Sequence, residues 1–334
     1  MKYKSAIVFI AAAMVLVSSC VKDYTITKNF ATKRYFDSWV KTNYPKAGMT
    51  DLGAYILADT TGSGALVGTP DDNSFIFLNY KTNSLDGNIT AYTDSGTAKQ
   101  MHEFDRTIYY GPKVSFRGAN ALQAGLEDIL KDMRVGGKRK AAIPGWLMVT
   151  ERYATAEEYL NNCTGTDTVY ELEVTGVTSD IFQFQVDSIE RYISHRLHKV
   201  DSLASGFYYI QTCPPSDTAS FKQGDIVRIN YTGSLLNGLV FDTSIKDTAK
   251  VHGLDLSRSY AASKVTIEED YTKYALDGGS EGNMITGFAY CLSLMKTGEK
   301  GIAVFTSDWG YKNSATSSIP GYSPLRFEIE MIGK

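Results

Sequence analysis

Residues 224–244, G-D-I-V-R-I-N-Y-T-G-S-L-L-N-G-L-V-F-D-T-S, decide the fold of this chain. From Ile226 to Tyr231 the side chains alternate between two faces, which predicts a strand. Thr232-Gly233 and Asn237-Gly238 are residue pairs typical of turns, and an apolar run resumes after them and ends at Asp242. The stretch therefore predicts two paired strands that bring Tyr231 close to the dipeptide Phe241-Asp242, called the Phe-Asp step below.

This stretch and the segments that follow it resemble the FKBP-type peptidyl-prolyl isomerases. The later segments occur in the family's order: Gly287-Phe288 opening a helix that ends at Leu294-Met295, then K-T-G-E-K at residues 296–300, Trp309-Gly310-Tyr311, Ile319-Pro320, and a closing strand at residues 325–330. One such fragment would be weak evidence. Five in the family's order are a specific signal.

Length and composition set the limits of the chain. Its 334 residues are long enough for about two domains. The formal net charge is −3 and no basic cluster stands out, so nothing indicates a nucleic-acid partner. The four cysteines and four histidines are spaced neither as a disulfide framework nor as a metal site. We expect no metal and no cofactor.

The first twenty residues are typical of a secretory signal. Lys2 and Lys4 precede an apolar run at residues 6–17, which is too short for a membrane span, and V-S-S-C ends at Cys20. This ending resembles the bacterial lipobox, which implies lipid attachment at Cys20, residues 21–29 as a tether, and a protein held on a membrane of the cell envelope. Ordinary secretion with a coincidental cysteine is the alternative.

The mature chain repeats itself. Residues 122–138 align with residues 284–300 without a gap, and residues 169–174 correspond to 326–331. We therefore predict an α+β fold with two FKBP-like domains, 30–178 and 179–334. Each is expected to be a curved antiparallel sheet wrapped around a short helix and preceded by another helix, which in the second domain covers residues 180–199.

The resemblance also implies which residues form a site in the second domain. Asp242 would lie near the reacting carbonyl, Tyr311 would bind substrate through its hydroxyl, and Phe288 would form the floor of the pocket. The remaining substrate-binding positions are Tyr231, Phe241 and Phe327 in the walls, Met284 and Ile285 as backbone hydrogen-bonding partners, and Ile319 in the loop closing over the proline. The plainer alternative is that the aromatic residues are core, Asp242 a turn residue and Tyr311 a surface tyrosine.

Two departures from the family pattern affect this site. Residues 245–283 place about twice the family's usual length between the Phe-Asp step and the helix, and Gly321-Tyr322 replaces the family's second proline. In the first domain, Tyr80 matches Tyr231, but residues 87–93 contain no Phe-Asp step and Leu126 replaces the aromatic floor. We expect the first domain to keep the fold without the site.

These observations favour a peptidyl-prolyl cis-trans isomerase that acts through its second domain on proline-containing stretches of exported polypeptides. Isomerisation breaks no bond, so it needs neither a nucleophile nor a cofactor. The alternative is a non-catalytic envelope lipoprotein that uses FKBP-like domains to bind peptides or partner proteins, because function lies in sites and not in folds.

Overall fold

Two antiparallel sheets organise the computed structural model, which describes residues 29–196 and 201–334. The predicted signal, Cys20, nearly all of the tether and residues 197–199 of the predicted second helix lie outside the described residues. We call residues 29–178 the first unit and residues 179–334 the second unit. Each contains one sheet.

α-Helices are interspersed among the strands in both units. The helices are α1 (Phe30–Asn43), α2 (Ser95–Gln100), α3 (Ala124–Leu130), α4 (Ala156–Asn162), α5 (Ile181–Arg196), α6 (Lys246–His252) and α7 (Thr286–Leu294). The first sheet holds β1 (Gly48–Met49), β2 (Tyr55–Thr60), β3 (Ser74–Asn83), β4 (Ile89–Tyr92), β5 (Lys113–Arg117), β6 (Lys138–Ile143) and β7 (Thr168–Thr178). The second holds β8 (Asp201–Ala204), β9 (Phe207–Cys213), β10 (Ile226–Leu235), β11 (Val240–Thr243), β12 (Ser263–Thr266), β13 (Ala275–Leu276), β14 (Lys300–Phe305) and β15 (Leu325–Gly333).

Strand order shows that the two sheets have related topologies. The first runs β1-β2-β6-β7-β3-β4, with β5 also paired to β3. The second runs β13-β12-β10-β15-β14-β9-β8, with β11 paired to β10. In both, the closing strand lies between the strand that carries the aligned tyrosine and the strand that follows the helix.

The register of these strands matches the aligned repeat. Helices α3 and α7 begin one residue after Gln123 and Ile285, which are aligned positions. Tyr80 lies opposite Leu172 in the first sheet, as Tyr231 lies opposite Ile329 in the second. The predicted α+β class, with a sheet packed on a short helix in each unit, is confirmed.

Each short helix packs through one apolar face, because its apolar residues recur at steps of three and four. In α3 and the turn after it the buried residues are Leu126, Ile129, Leu130 and Met133, and in α7 and the turn after it they are Phe288, Cys291, Leu292 and Met295. Each such apolar side chain contributes about 1.5–3 kcal/mol when it is buried. These faces therefore anchor the helices on their sheets.

Helix α5 packs on the second sheet and also touches the first unit. Ile189 and Ile193 lie in a cluster with Ile302 and Val304 of β14. Near the start of the same helix, the ring of Phe184 lies 4.5 Å from that of Phe77 in β3. The helix thus packs against both units.

One sequence prediction about the first strand pair is wrong. Thr232 and Gly233 form no turn but lie inside β10, which continues to Leu235. Gly233 is needed for close approach, because a Cβ there would lie 2.7 Å from ring atoms of both Phe241 and Phe327. The turn lies at Asn237-Gly238, where Gly238 has a φ of +93° that favours glycine.

Among residues 29–196 and 201–334, no helix combines the length and apolar character needed to cross a membrane. The same residues contain no cluster of three or more His, Cys, Asp or Glu side chains suited to a metal ion. Cys291 is fully buried in the second core, as its place on the apolar face of α7 predicts.

Candidate functional site

An aromatic cluster occupies the place where β10, β15 and α7 meet. The ring of Phe288 lies 5.3 Å from Tyr231 and 4.9 Å from Phe327, measured between centroids. Phe241 of β11 lies 5.7 Å from Phe327 in an edge-on arrangement. Tyr231, Phe288 and Phe327 are buried and Phe241 is partly buried, so these rings form an apolar environment largely shielded from solvent.

Asp242 lies at the edge of this cluster. It stands opposite Gly233 in the β10–β11 pair, and its Oδ2 accepts a hydrogen bond of 2.7 Å from the hydroxyl of Tyr231. Its Oδ1 accepts one of 2.5 Å from Nη2 of Arg258. The Asp242 side chain is 36 % exposed, so the carboxylate is held in a fixed position while it remains open to solvent.

Hydrogen bonds around Tyr231 hold β11 in register beside the cluster. The hydroxyl of Thr243 donates to the carbonyl oxygen of Tyr231 over 2.8 Å, and the N–H of Ser244 donates to the same oxygen over 3.0 Å. The N–H of Tyr231 donates to Oγ of Ser244 over 2.9 Å. The Phe-Asp step therefore has little freedom to move away from Tyr231.

Burial of Tyr231, together with its hydrogen bond to the Asp242 carboxylate, raises the pKa of the phenol well above its usual range. Both effects disfavour the phenolate, because an anion would lose hydration and face a second anion. The Tyr231 hydroxyl therefore stays protonated and donates its hydrogen bond to Asp242 throughout the physiological pH range.

Arg258 is a residue of this site that sequence reasoning missed. It lies within the long insertion, where we placed no pocket residue. Its Nη2 also donates to the carbonyl oxygen of Thr243 over 2.7 Å, and its guanidinium carbon lies 4.7 Å from the ring centre of Tyr260. No motif marks it; the only hint is that an exposed carboxylate beside an aromatic cluster needs a cationic partner.

Tyr311 lies beside the same carboxylate. Its side chain is 42 % exposed. Desolvation, and then the negative charge of Asp242, raise the pKa of Tyr311. Both effects favour the protonated form of the Tyr311 phenol.

The remaining predicted residues lie at the ends of this cluster. Met284 and Ile285 are partly buried against the second core just before α7. Ile285 is the N-cap residue of α7, and the N–H of an N-cap residue takes no part in the hydrogen bonds of its helix. Ile319 is buried in the same core, and its loop is closed by mutual hydrogen bonds with Thr316.

The structure thus brings the predicted residues to one end of the second sheet. Tyr231, Phe241, Asp242, Phe288 and Phe327 form one connected set of hydrogen bonds and ring contacts. Their roles in catalysis, and those of Met284, Ile285, Tyr311 and Ile319, stay predictions. The set combines buried aromatic rings with a partly exposed carboxylate.

The first unit differs at the matching positions. Leu126 of α3 occupies the position that Phe288 has in α7. Ala91 lies opposite Thr82 in the first sheet, whereas Asp242 lies opposite Gly233 in the second. The strand beside Tyr80 therefore offers no carboxylate at that position.

Comparisons with known proteins identify the family to which the second unit is similar. The sequence model of a family described as FKBP-type peptidyl-prolyl cis-trans isomerase matches residues 217–332. FK506-binding protein 1A of Aspergillus fumigatus is 31 % identical over 113 residues, which are 34 % of this chain and 80 % of that protein. FK506-binding protein 2 of Dictyostelium discoideum is 31 % identical over 121 residues, 36 % of this chain and 73 % of that protein.

A crystal structure of the three FKBP domains of wheat FKBP73 covers 85 % of this chain and 95 % of that chain, at 15 % identity and a TM-score of 0.30. This similarity is too low to support any argument about how the two units are arranged. The family model and the two relatives show the family of this chain. The chain belongs to the family of FKBP-type peptidyl-prolyl cis-trans isomerases.

Proposed function

We propose that the second unit catalyses the cis-trans isomerisation of X-Pro peptide bonds in polypeptides. The observation that carries this proposal is the joining of a buried aromatic floor to a fixed carboxylate. Phe288 is the proposed floor, with Phe327 in the wall beside it, and Asp242 is joined to this cluster through the hydroxyl of Tyr231. Packing of a hydrophobic core does not by itself require a partly exposed carboxylate beside the aromatic rings.

The reaction is a rotation about a bond and requires no covalent chemistry from the protein. Rotation about a peptide bond meets a barrier of about 18–20 kcal/mol, and X-Pro bonds isomerise unaided in tens to hundreds of seconds. The planar amide is stabilised by charge separation, which an apolar surface solvates poorly, and twisting removes that charge separation. An apolar pocket therefore favours the twisted transition state over the planar ground state.

The size of the effect is within reach of this site. A 10⁴-fold acceleration requires about 5.5 kcal/mol of preferential stabilisation. Desolvation of the prolyl ring against Phe288 supplies part of it. Hydrogen bonds from the N–H of Ile285 and the hydroxyl of Tyr311 to the peptide backbone supply about 0.5–1.5 kcal/mol each.

Asp242 acts in this proposal as a fixed charge beside the reacting carbonyl carbon. Tyr231 and Arg258 each hold one of its oxygens, so the carboxylate does not need to reorganise when the peptide twists. No covalent bond forms between the substrate and the protein.

The substrates we propose are proline-containing stretches of exported polypeptides, and the cell envelope is the proposed location. Both follow from the signal-like residues 1–20 and the lipobox resemblance at Cys20. A lipid on Cys20 would place both units in the aqueous space beside a membrane.

The first unit is proposed to have a non-catalytic role. Leu126 and Ala91 replace the aromatic floor and the carboxylate, and without them neither desolvation by a ring nor a fixed charge is available. Binding of a partner through this unit is the second candidate function of the chain.

Exchange spectroscopy by NMR on a short Ala-Pro peptide tests the proposal. The full chain should accelerate cis-trans exchange at substoichiometric concentration, and a macrolide inhibitor of the family should abolish the acceleration. Exchange no faster than that of the peptide alone, with a folded protein, would refute the enzyme and favour the binding role.

A further inference from the structure

A segment of the first unit reaches across to the second. The segment between α2 and β5, residues 101–112, carries Arg106, whose Nη1 donates to the carbonyl oxygen of Val251 over 3.0 Å. Its Nη2 donates to the carbonyl oxygen of Lys250 over 3.3 Å. These oxygens belong to the last turn of α6, where a cation is also favoured by the helix dipole.

Arg106 lies so close to Gly253 that a Cβ there would displace the guanidinium. Gly253 ends α6 with a φ of +78°, and a Cβ at this position would lie 2.0 Å from Nε of Arg106. The guanidinium thus packs directly on the backbone that follows the helix.

The same segment holds a second element of the second unit. The N–H of Tyr109 donates to the carbonyl oxygen of Ser317 over 2.9 Å, and the Tyr109 ring packs against the second core. At the far end of that loop, the ring of Tyr322 lies 5.1 Å from that of Phe75 in the first sheet. The loop is therefore held by the first unit at two places.

The two elements held in this way border the candidate site. Helix α6 begins four residues after Asp242, in the insertion that also supplies Arg258. The loop at residues 312–322 follows Tyr311 and contains Ile319. Arg106 and Tyr109, which contact the helix and the loop respectively, are separated by only two residues.

The loop has few buried contacts of its own. Residues 312–317 are exposed, and burial begins only at Ile319. Ordering a residue costs about 1–2 kcal/mol of backbone entropy, so a loop of this kind needs outside contacts to stay in one conformation. The hydrogen bond from Tyr109 and the ring contact of Phe75 with Tyr322 are such contacts.

We propose that Arg106 and Tyr109 are positioning residues for the isomerase site, through which the first unit orders the two segments that border it. This inference rests on the proposed function of the second unit. Loops ordered in advance bind a peptide without a further entropic cost, so the bridge lowers the KM for substrate. It gives a use to a first unit that lacks the site residues.

Full-chain variants test the proposal by a split between KM and kcat. Arg106→Ala removes the two hydrogen bonds to α6, and Tyr109→Ala removes the ring that packs against the second core while it keeps the backbone bond to Ser317. Each variant should raise the KM for a prolyl peptide about three- to tenfold, with kcat within about twofold. Hydrogen exchange measured by mass spectrometry should become faster at residues 246–252 in the first variant and 312–322 in the second.

Two matched controls separate positioning from a general loss of stability. Arg152 is an exposed arginine that donates to carbonyl oxygens of Leu122, Thr150 and Glu151 inside the first unit, so Arg152→Ala should leave KM unchanged. Tyr109→Phe removes only the hydroxyl that donates to Pro112 and keeps the ring and the backbone bond, so it should behave as wild type.

Two results would overturn the proposal. A fall in KM in Arg106→Ala or Tyr109→Ala would show that the bridge obstructs the site, and unchanged hydrogen exchange in both segments would show that it orders neither. If the wild-type chain does not accelerate exchange, the proposed function fails by itself. Hydrogen exchange, together with peptide affinity measured by titration, then decides whether the bridge positions a binding site.

Discussion

Replacing Phe288 tests the link between the aromatic floor and catalysis. Phe288 is 4 % exposed and lies 5.3 Å from Tyr231 and 4.9 Å from Phe327. Phe288→Ala removes both ring contacts, each worth about 0.5–1.5 kcal/mol beyond area burial, and opens a space that water can enter. We expect kcat/KM to fall about 10- to 100-fold, which corresponds to about 1.4–2.7 kcal/mol.

The matched control lies at the aligned position of the first unit. Leu126→Ala also truncates a buried side chain of a short core helix, and either substitution costs about 2–5 kcal/mol of stability. Leu126→Ala should nevertheless leave the isomerisation rate unchanged. Phe288→Trp should keep the activity within about threefold, because an aromatic floor remains and overpacking costs only about 1–3 kcal/mol.

The assay is exchange of a prolyl peptide followed by NMR, with circular dichroism and a thermal melt to show that each variant is folded. A folded Phe288→Ala protein with wild-type kcat/KM would refute desolvation by this ring. Equal losses in Phe288→Ala and Leu126→Ala would also contradict it, because the effect would then follow stability and not the site.

Three further predictions concern the charge, the domain boundary and the anchor. Asp242→Asn keeps the shape but weakens the bond from Arg258, so kcat/KM should fall about tenfold, or about 1.4 kcal/mol; a wild-type rate in the exchange assay would remove the carboxylate from the mechanism. A fragment of residues 179–334 should fold alone and keep a wild-type kcat, because it has its own sheet and core; an unfolded circular dichroism spectrum would contradict this. Cys20→Ser should release the protein from membranes, because only a thiol at that position accepts the lipid; quantitative recovery in the membrane pellet would disprove the lipobox assignment.

The sequence by itself determined the elements whose signals are local. The apolar steps of three and four residues in α3 and α7 specify which helix face is buried, and alternation in β10 places Tyr231 on the inner side. Because the two units repeat the same order of elements, the register of one sheet could be predicted from the other. The aromatic and acidic residues of the candidate site were assigned from the positions that the resemblance to the family implies, and their roles stay predictions.

Only the tertiary structure decided the contacts between segments that are distant in the chain. Arg258 reaches Asp242 from an insertion without periodic pattern, and Gly233 serves the close packing of two rings where its dipeptide was typical of a turn. Arg106 and Tyr109 act across the two units, 145 and 208 residues away from their partners Val251 and Ser317. Such contacts depend on how whole sheets pack, and no pattern within a few residues encodes that.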